Sequence, residues 1–85
     1  MQQLKSTIMN ANQRKTLKGY VESLDEIKCA IEEMRDDEEC KFDNMPEGLQ
    51  ESDRGEAMQE AIDNLESASS SLEEAIDQLN EIIGG

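Results

Sequence analysis

Eighty-five residues allow one small domain, and a chain without histidine or tryptophan has no Ser–His or Cys–His nucleophile to offer. A net charge of −13 argues against duplex nucleic acid as a partner, because an acidic body repels phosphate. No long apolar run is present, so neither a membrane span nor a signal-peptide core is expected, and the chain reads as a cytoplasmic protein.

Residues 2–9 hold one apolar pair, Leu4 and Ile8, which predicts a short first helix. At ~100° per residue that pair faces away from the next apolar stripe, so a break is expected at Asn10 and Asn12, both good cap or turn residues. A long second helix follows over 12–40, with Leu17, Tyr20, Val21, Leu24, Ile27, Ile31 and Met34 as a broad core-facing stripe. Gly19 within it marks either a bend, a close crossing or a tolerated glycine. The run Asp36-Asp37-Glu38-Glu39 falls at the helix C-terminal end, the unfavourable end for acids, and predicts fraying there unless a cation or partner covers it. Cys29 and Cys40 are eleven residues apart on nearly one face, ~16 Å along a continuous helix. That is beyond disulfide reach, and free thiols fit a reducing compartment.

Residues 42–53 form the connection, rich in the turn-formers Asp43, Asn44, Pro46 and Gly48. Phe42, Met45 and Leu49 are expected to fold back and plug the end of a hairpin. Asp53 with Glu56 reads as a capping box for a third helix over 54–83, with Gly84 as its C-cap. That helix carries the strongest pattern in the chain. Met58, Ile62, Leu65, Ser69, Leu72, Ile76, Leu79 and Ile83 follow one another at alternating spacings of four and three, a heptad seam. Ala61, Ala68, Ala75 and Ile82 flank it. A helix with such a stripe is not stable alone in water and needs a partner. Ser69 in the seam, beside Ser67, Ser70 and Ser71, reads first as a loosely packed middle, or else as a residue that fixes register. Two long helices joined by a compact connection make an antiparallel hairpin. Its surplus apolar surface is expected to be buried by a second chain, by the short N-terminal helix or by both, and the chain is read as a homo-oligomeric helical bundle.

Chemistry is sparse. There is no Gly-rich phosphate loop, and the carboxylates sit on solvated faces where nothing perturbs them, so no enzyme activity and no cofactor are expected. Two cysteines without histidine or a CxxC pair make a poor metal set. The charge is uneven: residues 1–21 hold four cations and no acid, whereas residues 22–85 hold all 21 acids against four cations. The basic head is either the counter-charge of an acidic neighbour in the same assembly or a recognition surface. As a surface, Arg14, Lys15, Lys18 and Tyr20 form the candidate ligand site, since cations and a ring suit a phosphate and a base. The candidate acidic surface for a basic protein partner is Asp63, Glu66, Glu73, Glu74 and Asp77.

The stretch Asn12-Gln13-Arg14-Lys15-Thr16-Leu17, then Phe42-Asp43-Asn44-Met45-Pro46-Glu47 with Gln50, Ser52 and Arg54-Gly55-Glu56, resembles small acidic helical-hairpin accessory proteins of tailed phages and prophages. The likeness spans about residues 12–83 and is carried by the loop motif. It implies a non-enzymatic accessory protein, a counter-defence role among its options, and it supplies no catalytic residues. Three functions follow as expectations. The first is a protein that binds and inhibits or adapts a host protein through its acidic surface, in the manner of a DNA mimic. The second is an oligomeric sponge that sequesters a nucleotide signal at its basic head. The third is a structural oligomerisation module.

Overall fold

The computed structural model describes residues 9–84. The helix expected over 2–9 lies outside the described residues except for Met9, which is not helical. Three helices follow: α1, Ala11–Asp43; α2, Glu47–Gln50; and α3, Asp53–Gly84. The long pair, α1 and α3, pack as an antiparallel hairpin, and the described residues contain no strand. None of these helices is long and apolar enough to cross a membrane.

Helix α1 starts one residue before the expected position because Asn10 caps it. The Asn10 Oδ1 accepts the Gln13 backbone N–H at 2.8 Å, and Gln13 Oε1 accepts the Asn10 N–H at 3.2 Å, so two otherwise unpaired donors are satisfied reciprocally. Its other end runs to Asp43 rather than stopping at 40. The acidic run does not fray, because cations are interleaved with it: Arg35 pairs with Asp36 and with Glu39, and Lys41 sits 3.3 Å from Glu38. Lys41 also stands in the last turn, where a cation complements the helix dipole. Gly19 is a tolerated glycine, since a Cβ there would meet nothing within 4 Å. Gly19→Ala is therefore expected to raise stability by about 0.5–1 kcal/mol through helix propensity alone, read as a higher urea midpoint with unchanged slope.

The segment expected as a loop over 42–53 is an ordered corner containing α2. The Pro46 carbonyl accepts the Leu49 and Gln50 N–H groups at 2.9 and 3.1 Å, which starts α2. Gln50 Nε2 then donates to the Phe42 carbonyl at 2.8 Å and ties the corner back onto α1. Ser52, not Asp53, caps α3: its carbonyl accepts the Glu56 N–H at 2.9 Å and its Oγ accepts the Gly55 N–H at 3.4 Å. The chain prefers Ser52 because its short hydroxyl reaches the third N–H while Asp53 serves in the first turn, where acids are favourable. Phe42 and Met45 are half-buried as expected, but Leu49 stays exposed. Gly84 lies inside the last turn of α3 rather than beyond it, and no described residue has a left-handed φ.

The heptad seam of α3 faces α1. Ile62, Ser69 and Ile76 are buried, and Met58, Leu65, Leu72, Leu79 and Ile83 are half-buried. Ser69 is not a loose middle. Its Oγ donates to Glu32 Oε2 on α1 at 3.0 Å, a contact that one register satisfies and a slipped one does not. Val21, Ile62 and Ile76 are the only buried apolar residues described, and none of them is completely enclosed. The molecule is 19 by 13 Å across, one layer of helices, whereas stable domains bury their apolar faces between two.

Candidate functional site

Two opposite flanks of this single layer differ in chemistry. On α1 the positions that meet α3 repeat at four and three: Leu17, Val21, Leu24, Lys28, Ile31 and Arg35. Two of these six are cations. Their aliphatic stems lie along the seam, and their charged ends reach one flank of it. There Lys28 Nζ sits 3.5 Å from Glu73 and 3.6 Å from Glu32, and Arg35 Nε sits 3.4 Å from Glu66, an ion contact without hydrogen-bond alignment. The sequence reading missed Lys28 and Arg35 because it sought apolar residues only. The available signal was the seam spacing continued through them, with acids placed opposite on α3.

Both cations are held in their charged forms. Partial desolvation works against the Lys28 ammonium, but the carboxylates of Glu32, Glu73 and Asp25 outweigh it, so its pKa lies above the ordinary value. For Arg35 the Glu39 carboxylate raises the pKa most, against desolvation, with Glu66 and Asp36 adding to it. A raised folded-state pKa gives stability that is complete below the unfolded value, about pH 10.5 for Lys28, and is lost as pH climbs through the folded one. Lys28→Met is therefore expected to remove part of the alkaline fall in urea midpoint seen with the unmodified protein, a comparison that checks the pairing directly.

The other flank carries no such groups. At ~100° per residue, Tyr20, Ile27 and Met34 form a row on the side of α1 away from the ion pairs. These three are 61, 50 and 60% exposed, too open for core residues. The matching row on α3 is Ala61, Ala68, Ala75 and Ile82. In an antiparallel pair whose ionic flanks meet, the opposite flanks also share one side, so these two rows lie on the same face of the hairpin. Between them run the half-buried Leu17, Leu24 and Ile31 of α1 and Met58, Leu65, Leu72 and Leu79 of α3. Outside them stand Thr16, Ser23 and Ala30, and Ala57, Asn64, Ser71 and Gln78. None of these residues is charged, in a chain of which 34% is charged. Cations return only at the corner, where Lys41 and Arg54 border a hollow with Met45, Leu49 and Met58.

The candidate ligand residues are divided by this arrangement. Lys15 and Lys18 are exposed, and Arg14 is half-buried with Nη1 donating to the Met9 carbonyl at 2.5 Å. These three share one side of α1. Tyr20 stands ~120° or more from each of them, on the uncharged face, beside an apolar hollow lined by Met9, Gln13 and Leu17. Of the candidate acidic residues, Glu66 and Glu73 are engaged with Arg35 and Lys28, and Asp63 accepts from Gln59 at 3.2 Å. Glu74 and Asp77 are exposed, along a shallow groove shared with Ser70 and Glu73. Cys29 and Cys40 are free and exposed. Among the described residues, no three acids or cysteines gather as a metal-binding group.

The motif that carries the phage-protein resemblance has a structural explanation in part. Pro46, Gln50, Ser52 and Gly55 each build the corner. Comparison with protein-family models, with curated proteins and with solved structures finds no match to this chain.

Proposed function

We propose that this chain is a non-enzymatic, phage-type accessory protein that acts in the host cytoplasm as a homo-oligomer. Its acidic outer faces bind a basic host protein and inhibit or adapt it, a counter-defence role being the one the family resemblance suggests. The observation that carries this is the segregation of charge. Acids crowd the outward faces of both helices, while one face is free of charge from Thr16 to Met34 and from Ala57 to Ile82, with Asp37, Lys41 and Arg54 only at its corner end, so the chain has one surface suited to self-association and another suited to a basic partner. Glu74 and Asp77 support the second role, because they are exposed and neither forms an ion pair among the described residues.

The test is capture of a partner from bacterial lysate by the purified protein, followed by a salt series and charge reversal. The informative variant combines Asp63→Lys, Glu74→Lys and Asp77→Lys, since Glu66 and Glu73 hold the hairpin cations. Partner affinity is expected to fall roughly tenfold or more in the variant and on raising salt from about 50 to 500 mM, with helicity unchanged. Binding indifferent to both would overturn the assignment.

A further inference from the structure

The uncharged face has a shape as well as a composition, and the shape is self-complementary. We propose that a second copy of this chain covers it, each copy's α1 lying across the other's α3, with the two corners at the same end of a four-helix bundle. This rests on the homo-oligomer proposed above and specifies its surface and arrangement.

Charge decides the surface. Each chain carries a net −13, so two copies repel each other wherever acids face outward, and the flank bounded by Thr16–Met34 and Ala57–Ile82 is where they meet without that cost. Interface cores are depleted of charge in the same way. The area is adequate. Two helices ~48 Å long lying side by side across 19 Å offer a footprint of roughly 900 Å², against the roughly 800 Å² per partner of a standard stable interface. The second layer also supplies what the hairpin lacks, a cover for Tyr20, Ile27 and Met34.

Side-chain size decides the arrangement. The outer row of α1 is large, Tyr20, Ile27 and Met34, and that of α3 is small at Ala61, Ala68 and Ala75 and large only at its last member, the exposed Ile82, which stands level with Tyr20. The cross-helix contacts of Lys28 with Glu73, Glu32 with Ser69 and Arg35 with Glu66 set the levels. On those levels Ile27 stands beside Ala75 and Met34 beside Ala68. A two-fold axis along the helices lays Ile27 onto the partner's Ala75 and Met34 onto the partner's Ala68, large against small. A two-fold axis across the helices sets large on large and small on small, which holds one side of the bundle apart. Charge does not reverse the choice: Arg14, Lys15 and Lys18 lie round the helix from this face, the corner cations Lys41 and Arg54 are exposed at its end with Asp37 one turn away, and at physiological salt the ~8 Å Debye length screens both groups from the partner.

Disulfide trapping tests the arrangement. In a Cys29→Ser, Cys40→Ser background, a chain bearing Ile27→Cys is mixed with a tagged chain bearing Ala75→Cys and oxidised gently. The expected product is the mixed cross-link, with little bridging of either variant to itself, because bridging requires Cα atoms within roughly 7 Å. Met34→Cys mixed with Ala68→Cys repeats the test at a second level, in case one site perturbs folding. Bridging of the Ile27→Cys chain to itself, or no mixed cross-link at either level, would overturn the proposal. Partner capture is measured on the same proteins. Its loss with the cross-link intact counts against the acidic surface alone, and a missing cross-link with capture intact counts against this interface alone.

Discussion

Gly55→Ala is expected to cost about 3 kcal/mol or more and to lower the melting temperature by more than roughly 10 °C at fixed protein concentration. Gly55 is buried in the first turn of α3, where the chain has just left α2. A Cβ there would overlap the Gln50 carbonyl oxygen and come within 2.6 Å of the Leu49 carbonyl oxygen. Both obstacles are backbone, and both belong to a corner pinned by the Gln50 bond to Phe42, so neither yields cheaply. Gly48→Ala is the control. It lies in α2 with nothing within 4 Å of a Cβ, and is expected to change stability by no more than about 0.5 kcal/mol. Thermal unfolding followed by circular dichroism checks the pair, and equal behaviour of the two variants would contradict the corner geometry.

Ile62→Asp is expected to abolish most of the helical signal. Ile62 is the most buried apolar residue described, 3% exposed, and an unpaired carboxylate at such a site costs about 3–5 kcal/mol. Among the described residues the buried apolar core is Val21, Ile62 and Ile76, so that loss is comparable to the whole stability of a small domain. Leu72→Asp, at a half-buried seam position, is expected to weaken the fold in the same direction by less. Far-ultraviolet circular dichroism at equal concentration reads both, and a fully helical Ile62→Asp protein would contradict the seam assignment.

The hairpin was legible in the sequence because its signals are periodic. The spacing from Met58 to Ile83 places Ile62, Ser69 and Ile76 inward without reference to any neighbour, and the structure buries those three. What periodicity cannot convey is pairing between elements. Lys28 and Arg35 look like surface residues along the chain. They become seam residues only when Glu66 and Glu73 stand opposite, and those acids are about thirty to forty-five positions away. Ser69 changed meaning for the same reason, since its partner Glu32 is on the other helix. The corner was legible as a connection but not as an ordered one. Its order depends on a side-chain bond from Gln50 to Phe42 and on the space left by a missing Cβ at Gly55. The candidate ligand group was proposed from proximity along the chain, and helical rotation separates Tyr20 from its three cations. Of the α1 stripe expected to face the core, Leu17, Val21, Leu24 and Ile31 do so, whereas Tyr20, Ile27 and Met34 stay exposed. Only the division of that stripe, one edge against α3 and the other left open, required the structure.

Sedimentation equilibrium of the unmodified protein at low and high salt bears most directly on the division of this molecule into a self-associating face and an acidic one. The expected result is twice the 9.6 kDa chain mass at both salts, with tighter association at high salt, where screening relieves the repulsion between two chains of net charge −13. A stable, fully helical monomer, or a dimer that salt dissociates, would contradict it.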